Sequence, residues 1–171
     1  MEHNKKTAEA ELVVIGGGPA GMMCAATAAE RGMRVILLEP NRLLGRKLRI
    51  TGKGRCNVTN NCDIKTFMEN IPGDGRFLYS ALNRLSPTQT MELFESHGLK
   101  LKTERGNRVF PESDKADDIA DALAELARKN GVRVLRERAR HILTDESGAV
   151  RAVTTEHGEI ECANAVICTG G

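Results

Sequence analysis

The six residues Gly16-Gly17-Gly18-Pro19-Ala20-Gly21 constrain this chain more than any other feature of it. They follow a short apolar, β-branched run, Leu12 to Ile15, which reads as a buried strand. They lead into an Ala- and Met-rich stretch, Pro19 to Arg31, that reads as a helix, with Gly32 standing at its C-terminal stop. A G-x-G-x-x-G pattern carries little weight alone, but between a strand and a helix each glycine acquires a separate duty. Gly16 permits the tight turn, Gly18 lets the backbone approach a pyrophosphate, and Gly21 lets the helix pack close to the strand. The helix N-terminus adds unpaired N–H groups and the positive end of a dipole.

Arg34 to Leu38 reads as the next strand, closed by Glu39. A strand, crossover helix and strand of these lengths imply parallel pairing. Glu39 lies 18 residues beyond Gly21. A carboxylate there accepts hydrogen bonds from adenosine ribose hydroxyls and repels a 2′-phosphate, which disfavours NADP at this site.

The β-α alternation then breaks. Pro40 to Asn61 is a long stretch of glycines and basic residues with little periodicity, and a loop of this length in a compact domain is functional or disordered. Arg42, Arg46, Lys47, Arg49, Lys53 and Arg55 fall in it, with no acid after Glu39. Three readings stay open from the residues alone: a seat for the second phosphate, ribityl chain and ring of FAD, a solvated mobile loop, or a nucleic-acid patch.

Helices are expected over Asp74 to Leu85 and over Pro87 to His97, the latter with Ser86 as N-cap and Gly98 as stop. Asp114 to Asn130 is the best amphipathic segment, with Ile119, Leu123, Leu126 and Ala127 on one face. Asp117, Asp118 and Asp121 suit the first turns of that helix by complementing its dipole. Val132 to Leu135 reads as a strand, and Ala139–Thr144, Ala149–Glu156 and Glu159–Cys162 as a meander with turns at 146–148 and 157–158. Ala165 to Cys168 reads as a separate last strand leading to Thr169-Gly170-Gly171. Small residues at such a strand end suit a backbone that approaches a ligand, and they also suit a plain turn.

Composition removes other classes. No Trp and one Tyr among 171 residues leave little for base stacking, and a net charge of +2 does not call for a polyanionic partner. The five cysteines form no C-x-x-C pair and lack a His at ligand spacing, so no metal site is expected. Neither a leader nor a membrane-length apolar run is present, and a reduced, cytoplasmic setting is expected, with residues 1–10 as a flexible tail. His97, His141 and His157 have no evident partners for a dyad, and no catalytic residue is assigned. Cys56 reads as a small packing residue in a tight loop in preference to a redox thiol.

Taken together, IGGGPAGMMCA, LLEP, GRKLRITGKGRCNVTN, NRVFPESDKADDIADAL and AVICTGG resemble the aminoacetone oxidase-like family of bacterial FAD-dependent oxidoreductases. The likeness runs from Leu12 to Gly171, and the G-R-C-N-V-T-N run is its most specific part. The resemblance implies an α/β fold, a Rossmann-like doubly wound parallel sheet with an added β-meander, over residues 11–171, as the N-terminal portion of a larger flavoprotein. It implies FAD, with Gly16, Gly18, Pro19, Ala20 and Gly21 at the pyrophosphate and Glu39 and Pro40 at the ribose. Arg46, Lys47, Gly54, Arg55, Cys56 and Asn57 would lie toward the flavin, Ala139 beside the adenine, and Thr169 and Gly170 over the cofactor. Lys53 stands where the family often has glycine, which would stiffen that loop. The activity implied is hydride transfer between a small-molecule substrate or NAD(P)H and the flavin, with oxygen as another redox partner and no nucleic-acid or membrane partner. An NAD-dependent dehydrogenase domain and a truncated, non-catalytic nucleotide-binding module are the competing readings.

Overall fold

The computed structural model describes residues 8–170. In chain order the elements are β1 (Ala8–Ile15), α1 (Pro19–Glu30), β2 (Val35–Leu38), β3 (Thr59–Asn60), α2 (Ile64–Glu69), α3 (Tyr79–Arg84) and α4 (Pro87–Ser96). They continue with β4 (Leu101–Glu104), β5 (Arg108–Pro111), α5 (Ala116–Lys129), β6 (Arg133–Leu135), β7 (Ala139–Thr144), β8 (Val150–Thr155) and β9 (Glu159–Ile167). Short 3-10 turns cover Leu48–Gly54 and Gly75–Leu78. The single body expected over 11–171 divides into two compact units: residues 8–46 with 123–170, and Lys47–Ala122.

The first unit carries a six-stranded sheet in the order β6-β2-β1-β9-β8-β7. β6, β2, β1 and β9 run parallel, while β8 and β7 are antiparallel additions. This is the doubly wound α/β sheet with a meander that the sequence implied. All four residues of β2 are buried, as a strand covered on both faces requires. Val13, Ile36, Leu38, Val153, Ile160 and Cys162 belong to one buried cluster spanning parallel and antiparallel strands.

Two expectations at the ends of this sheet are corrected. Residues 8–10, placed in the tail, are strand, because Ala8 to Ala10 pair with Ile160 to Cys162 of β9. Their A-E-A-E alternation does bury Ala10, but alanine is too weakly apolar to announce a strand. Glu9 and Glu11 face outward, where both reach Arg34. The two strands expected at 159–162 and 165–168 are one continuous β9, since Ala163-Asn164 contains no breaker and β1 pairs along nearly its whole length. The Asn164 amide also donates to the Glu11 carbonyl (3.1 Å).

The second unit holds the small antiparallel sheet β3-β5-β4 with α2, α3 and α4. The loop expected over 40–61 therefore ends in a strand, and the hairpin β4–β5 was not anticipated. Its turn residues, Gly106 (φ 76°) and Asn107 (φ 59°), were the available signal. The helix expected at 74–85 is a 3-10 turn capped by Asp74 followed by α3, and α2, capped by Asp63, was missed because it has only six residues. α4 begins with a capping box, Ser86 and Gln89 exchanging side-chain and backbone hydrogen bonds. In α5, Ile119, Leu123 and Ala127 are buried as the periodicity predicted, while Leu126 is half-buried.

Leu37 is fully buried in β2. Leu37→Ala is expected to cost about 2–5 kcal/mol of stability, read as a lowered denaturation midpoint at unchanged slope.

Candidate functional site

In the first unit β1 has a parallel neighbour on each side, β2 reached through α1 and β9 reached by the rest of the chain. The direction of winding reverses there, and ligands of open α/β sheets bind beyond the carboxyl ends of the strands at such a point. Those ends carry Gly16 after β1, Glu39 after β2, and Cys168-Thr169-Gly170 after β9. Backbone hydrogen bonds tie them together: Gly16 N–H to the Leu38 carbonyl (2.9 Å) and Cys168 N–H to the Ile15 carbonyl (2.7 Å).

The glycines of the fingerprint differ in why they are glycine. Gly16 has φ +109°, and a Cβ there would stand 2.5 Å from the Cys168 carbonyl oxygen. A Cβ on Gly21 would lie 1.8 Å from the Gly16 carbonyl oxygen, and one on Gly17 would strike Leu44 and Glu39. These three are excluded from carrying a side chain by the protein's own packing. Gly18 is not: its φ of −75° is ordinary, and a Cβ there would meet nothing within 4 Å. It is the N-cap of α1, no side chain caps the helix there, and Pro19 occupies the first turn. A bare glycine at a helix N-terminus, with open space beside it, allows an anionic group to approach the backbone N–H groups closely.

Glu39 has a second duty that sequence reasoning missed. Its Oε2 accepts from Gly17 N–H (2.9 Å), and its Oε1 accepts from the backbone and side-chain nitrogens of Asn41 (2.9 and 2.6 Å). The carboxylate thus fastens the glycine turn to the end of β2 before any ribose is considered. Asn41 in turn accepts weakly from Arg46 (3.5 Å). Pro40 is exposed beside Glu39, and Ala139 opens β7 half-buried.

From Lys47 onward the basic loop belongs to the second unit. Gly52, Lys53 and Cys56 have φ of 55°, 59° and 57°, all left-handed, with Gly54 also positive. Lys53 thus adopts the conformation that glycine takes most cheaply, which gives the glycine often found there in the resembling family a physical reason. Cys56 is buried, its N–H donates to the Thr51 carbonyl (3.1 Å), and burial pushes its thiol pKa up, so it is a packing residue. The Asn57 amide, oriented with nitrogen inward, donates to the carbonyls of Val109 (3.2 Å) and Thr59 (3.0 Å) and pins the loop to β5.

Two of the loop's cations are already matched. Arg49, its side chain only 13% exposed, bridges Asp117 (2.7 Å) and Asp121 (2.6 Å) of α5. Arg55 bonds Asp114 (2.6 Å) and Glu104 and lies 4.2 Å over the Phe110 ring. Lys102 reaches the other oxygen of Asp114 (2.6 Å). Asp117 and Asp121 are therefore loop clamps besides dipole partners, and the loop is far less cationic than its composition suggested. The link was invisible in sequence because the partners lie 49 to 72 positions apart.

With the geometry in hand, the comparisons are decisive on kinship. Residues 10–171 match the HI0933-like protein Rossmann domain. The chain belongs to that family. That family is one of FAD-binding oxidoreductases, and FAD is its cofactor. The ribosomal RNA dihydrouridine synthase of Escherichia coli is 31% identical over 94% of this chain, which spans 39% of that protein's length. The 3-dehydro-bile acid delta(4,6)-reductase of Clostridium scindens is 33% identical over 71% of the chain, corresponding to 29% of its own length. Among solved structures, the 3-ketosteroid-delta4-(5alpha)-dehydrogenase of Rhodococcus jostii superposes with a TM-score of 0.74 at 19% identity, over 96% of this chain and 46% of that one. That likeness shows the fold. No helix among the described residues is long and apolar enough to cross a membrane.

Gly18→Ala is expected to change stability by no more than about 1 kcal/mol, whereas Gly21→Ala should cost about 3 kcal/mol or more, its methyl overlapping backbone. Parallel urea titrations distinguish them. Lys102 and then Arg55 hold the Asp114 carboxyl below its usual range. The stability this contributes is complete above the unfolded value of about 4 and disappears as pH falls through the lower folded value. Asp114→Asn should flatten the acid limb of the unfolding midpoint against pH and change the neutral region less.

Proposed function

We propose that this chain is the FAD-holding part of an oxidoreductase that passes hydride between the flavin and a carbon–carbon double bond conjugated to a carbonyl. The observation that carries the cofactor half is Gly18, the one fingerprint glycine for which the protein's own packing supplies no reason. When bound, FAD supplies a two-electron hydride donor and acceptor at its ring. The chain's residues bind and orient it. Gly16, Gly18, Pro19, Ala20 and Gly21 would seat the pyrophosphate at the α1 N-terminus, with Glu39 and Pro40 at the ribose. Thr169 and Gly170, at the same strand ends, would close over it, with Ala139 toward the adenine. Arg46, Lys47, Gly54, Arg55, Cys56 and Asn57 would serve the flavin end. Because Arg55 and Asn57 have internal partners, their contribution is backbone and loop shape more than free charge.

The substrate half rests on what the relatives are named for. A dihydrouridine synthase and a delta(4,6)-reductase both add hydrogen across such a bond, on very different molecules. This class supports a reductase more directly than the aminoacetone oxidase-like reading does. NAD(P)H is the proposed electron donor. The chain spans only 39% of the first of those relatives, so the substrate pocket is assigned to no residue here.

The test is a visible spectrum of the chain after incubation with FAD and gel filtration. Flavin bands should co-elute with the chain and be lost in Gly18→Ala without loss of fold. A colourless chain, colourless also at the relatives' full length, refutes the cofactor. With a yellow full-length protein reduced anaerobically, reoxidation by a uridine-containing ribosomal RNA fragment or by a delta(4,6)-3-keto steroid supports the substrate class. A flavin that stays reduced with both refutes it.

A further inference from the structure

Cys168 follows β9 and sits beneath the first turn of α1. The position a Cβ would take on Gly21 is 3.3 Å from the Cys168 Cβ. Cys24 lies three residues further along α1, hence on the same face of the helix, and helical side chains lean back toward the N-terminus. That lean carries the Cys24 side chain back over Gly21 toward Cys168, close enough for its thiol to bear on the ionisation of Cys168. Both cysteines are free and half-buried, unlike the fully buried Cys56 and Cys162.

We propose that Cys24 and Cys168 are a thiol pair that closes to a disulfide on oxidation, stapling α1 to the end of β9 directly under the nucleotide fingerprint. The oxidant class is a low-molecular-weight disulfide. The Cys24 thiolate attacks one sulfur of the reagent, forming a mixed disulfide and releasing one thiolate. The Cys168 thiolate then attacks the Cys24 sulfur, forming the protein disulfide and releasing the second. Two electrons pass from the cysteines to the reagent, and their two protons leave with its two thiols. Burial and the neighbouring thiol push the Cys168 pKa up, so the second step quickens as pH rises above neutral.

The pair has little room to adjust quietly. An S–S bond of about 2.05 Å is much shorter than the contact distance of two separate thiols. The Cys168 carbonyl already occupies the space beside Gly16, and Gly21 is backed by the Gly16 carbonyl. Closure would tie the first turns of α1 to the end of β9 beside the Thr169-Gly170 turn, the two segments proposed above to hold the cofactor.

The experiment treats the reduced chain with glutathione disulfide at mildly alkaline pH, quenches with an alkylating reagent and maps tryptic peptides. The expected product joins the peptide ending at Arg31 to the peptide following Arg151, lighter by two hydrogens and with Cys24 and Cys168 both lost to alkylation. Fragment ions between Cys162 and Cys168 assign the sulfur. Cys24→Ala should abolish the link, and Cys168→Ala should do the same independently. Cys62, also half-buried, reports that the reagent reached the protein. Glutathione on Cys62 with Cys24 and Cys168 unlinked overturns the proposal. The readout needs no flavin, so its failure leaves the cofactor reading untouched.

Discussion

Everything at the candidate site depends on one close approach, the carbonyl of Gly16 lying where a side chain of Gly21 would be. It lets α1 begin immediately against the end of β1, so that the helix N-terminus opens at the point where the sheet's winding reverses. Glu39 reinforces the arrangement from β2 by taking the Gly17 N–H, and the Cys168 N–H reinforces it from β9 by reaching Ile15. Three strand ends and a helix are thereby locked by contacts that tolerate no added atoms. Gly18, at the N-terminus of α1, is the one fingerprint glycine that this packing leaves uncrowded.

The second unit solves a different problem, holding a basic, glycine-rich loop in a single shape. Left-handed backbone at Lys53 and Cys56 costs on the order of 1 kcal/mol or more each. Such positions persist only where the surroundings determine them. Here Arg49 is gripped by two aspartates of α5, Arg55 by Asp114 and Glu104 over Phe110, and Asn57 by two carbonyls. Two of the charges that read in sequence as a surface for an anion, Arg49 and Arg55, serve as anchors. That leaves backbone conformation, more than net charge, as what the loop presents.

Legibility followed the range of the interactions. The βαβ unit, the capped α4, the amphipathic α5 and the meander announce themselves through neighbours three or four residues apart, and each is found close to its expected place. β1 was read short because Ala8 and Ala10 bury too little to stand out, and β9 was split because its middle is polar on the exposed face. The β4–β5 hairpin, with only four residues a side, lacked enough alternation to be seen, although Gly106-Asn107 marked its turn.

By itself the sequence determined the class of the fold and the place of its glycine turn, because strand, glycine turn, helix and acid are consecutive and their geometry follows from local sterics. It pointed as well to a family of FAD-dependent oxidoreductases, while the match that places the chain is to the HI0933-like Rossmann domain and leaves the aminoacetone oxidase-like assignment unconfirmed. Only the tertiary structure decided which glycines serve packing and which stands open, since Gly16 is crowded by Cys168 at the end of β9 and Gly17 by Glu39 and Leu44. Only the tertiary structure paired Arg49 and Arg55 with distant acids and set Cys24 against Cys168. Charge neutralisation and thiol contact are properties of distance in space, and a linear chain does not record that distance.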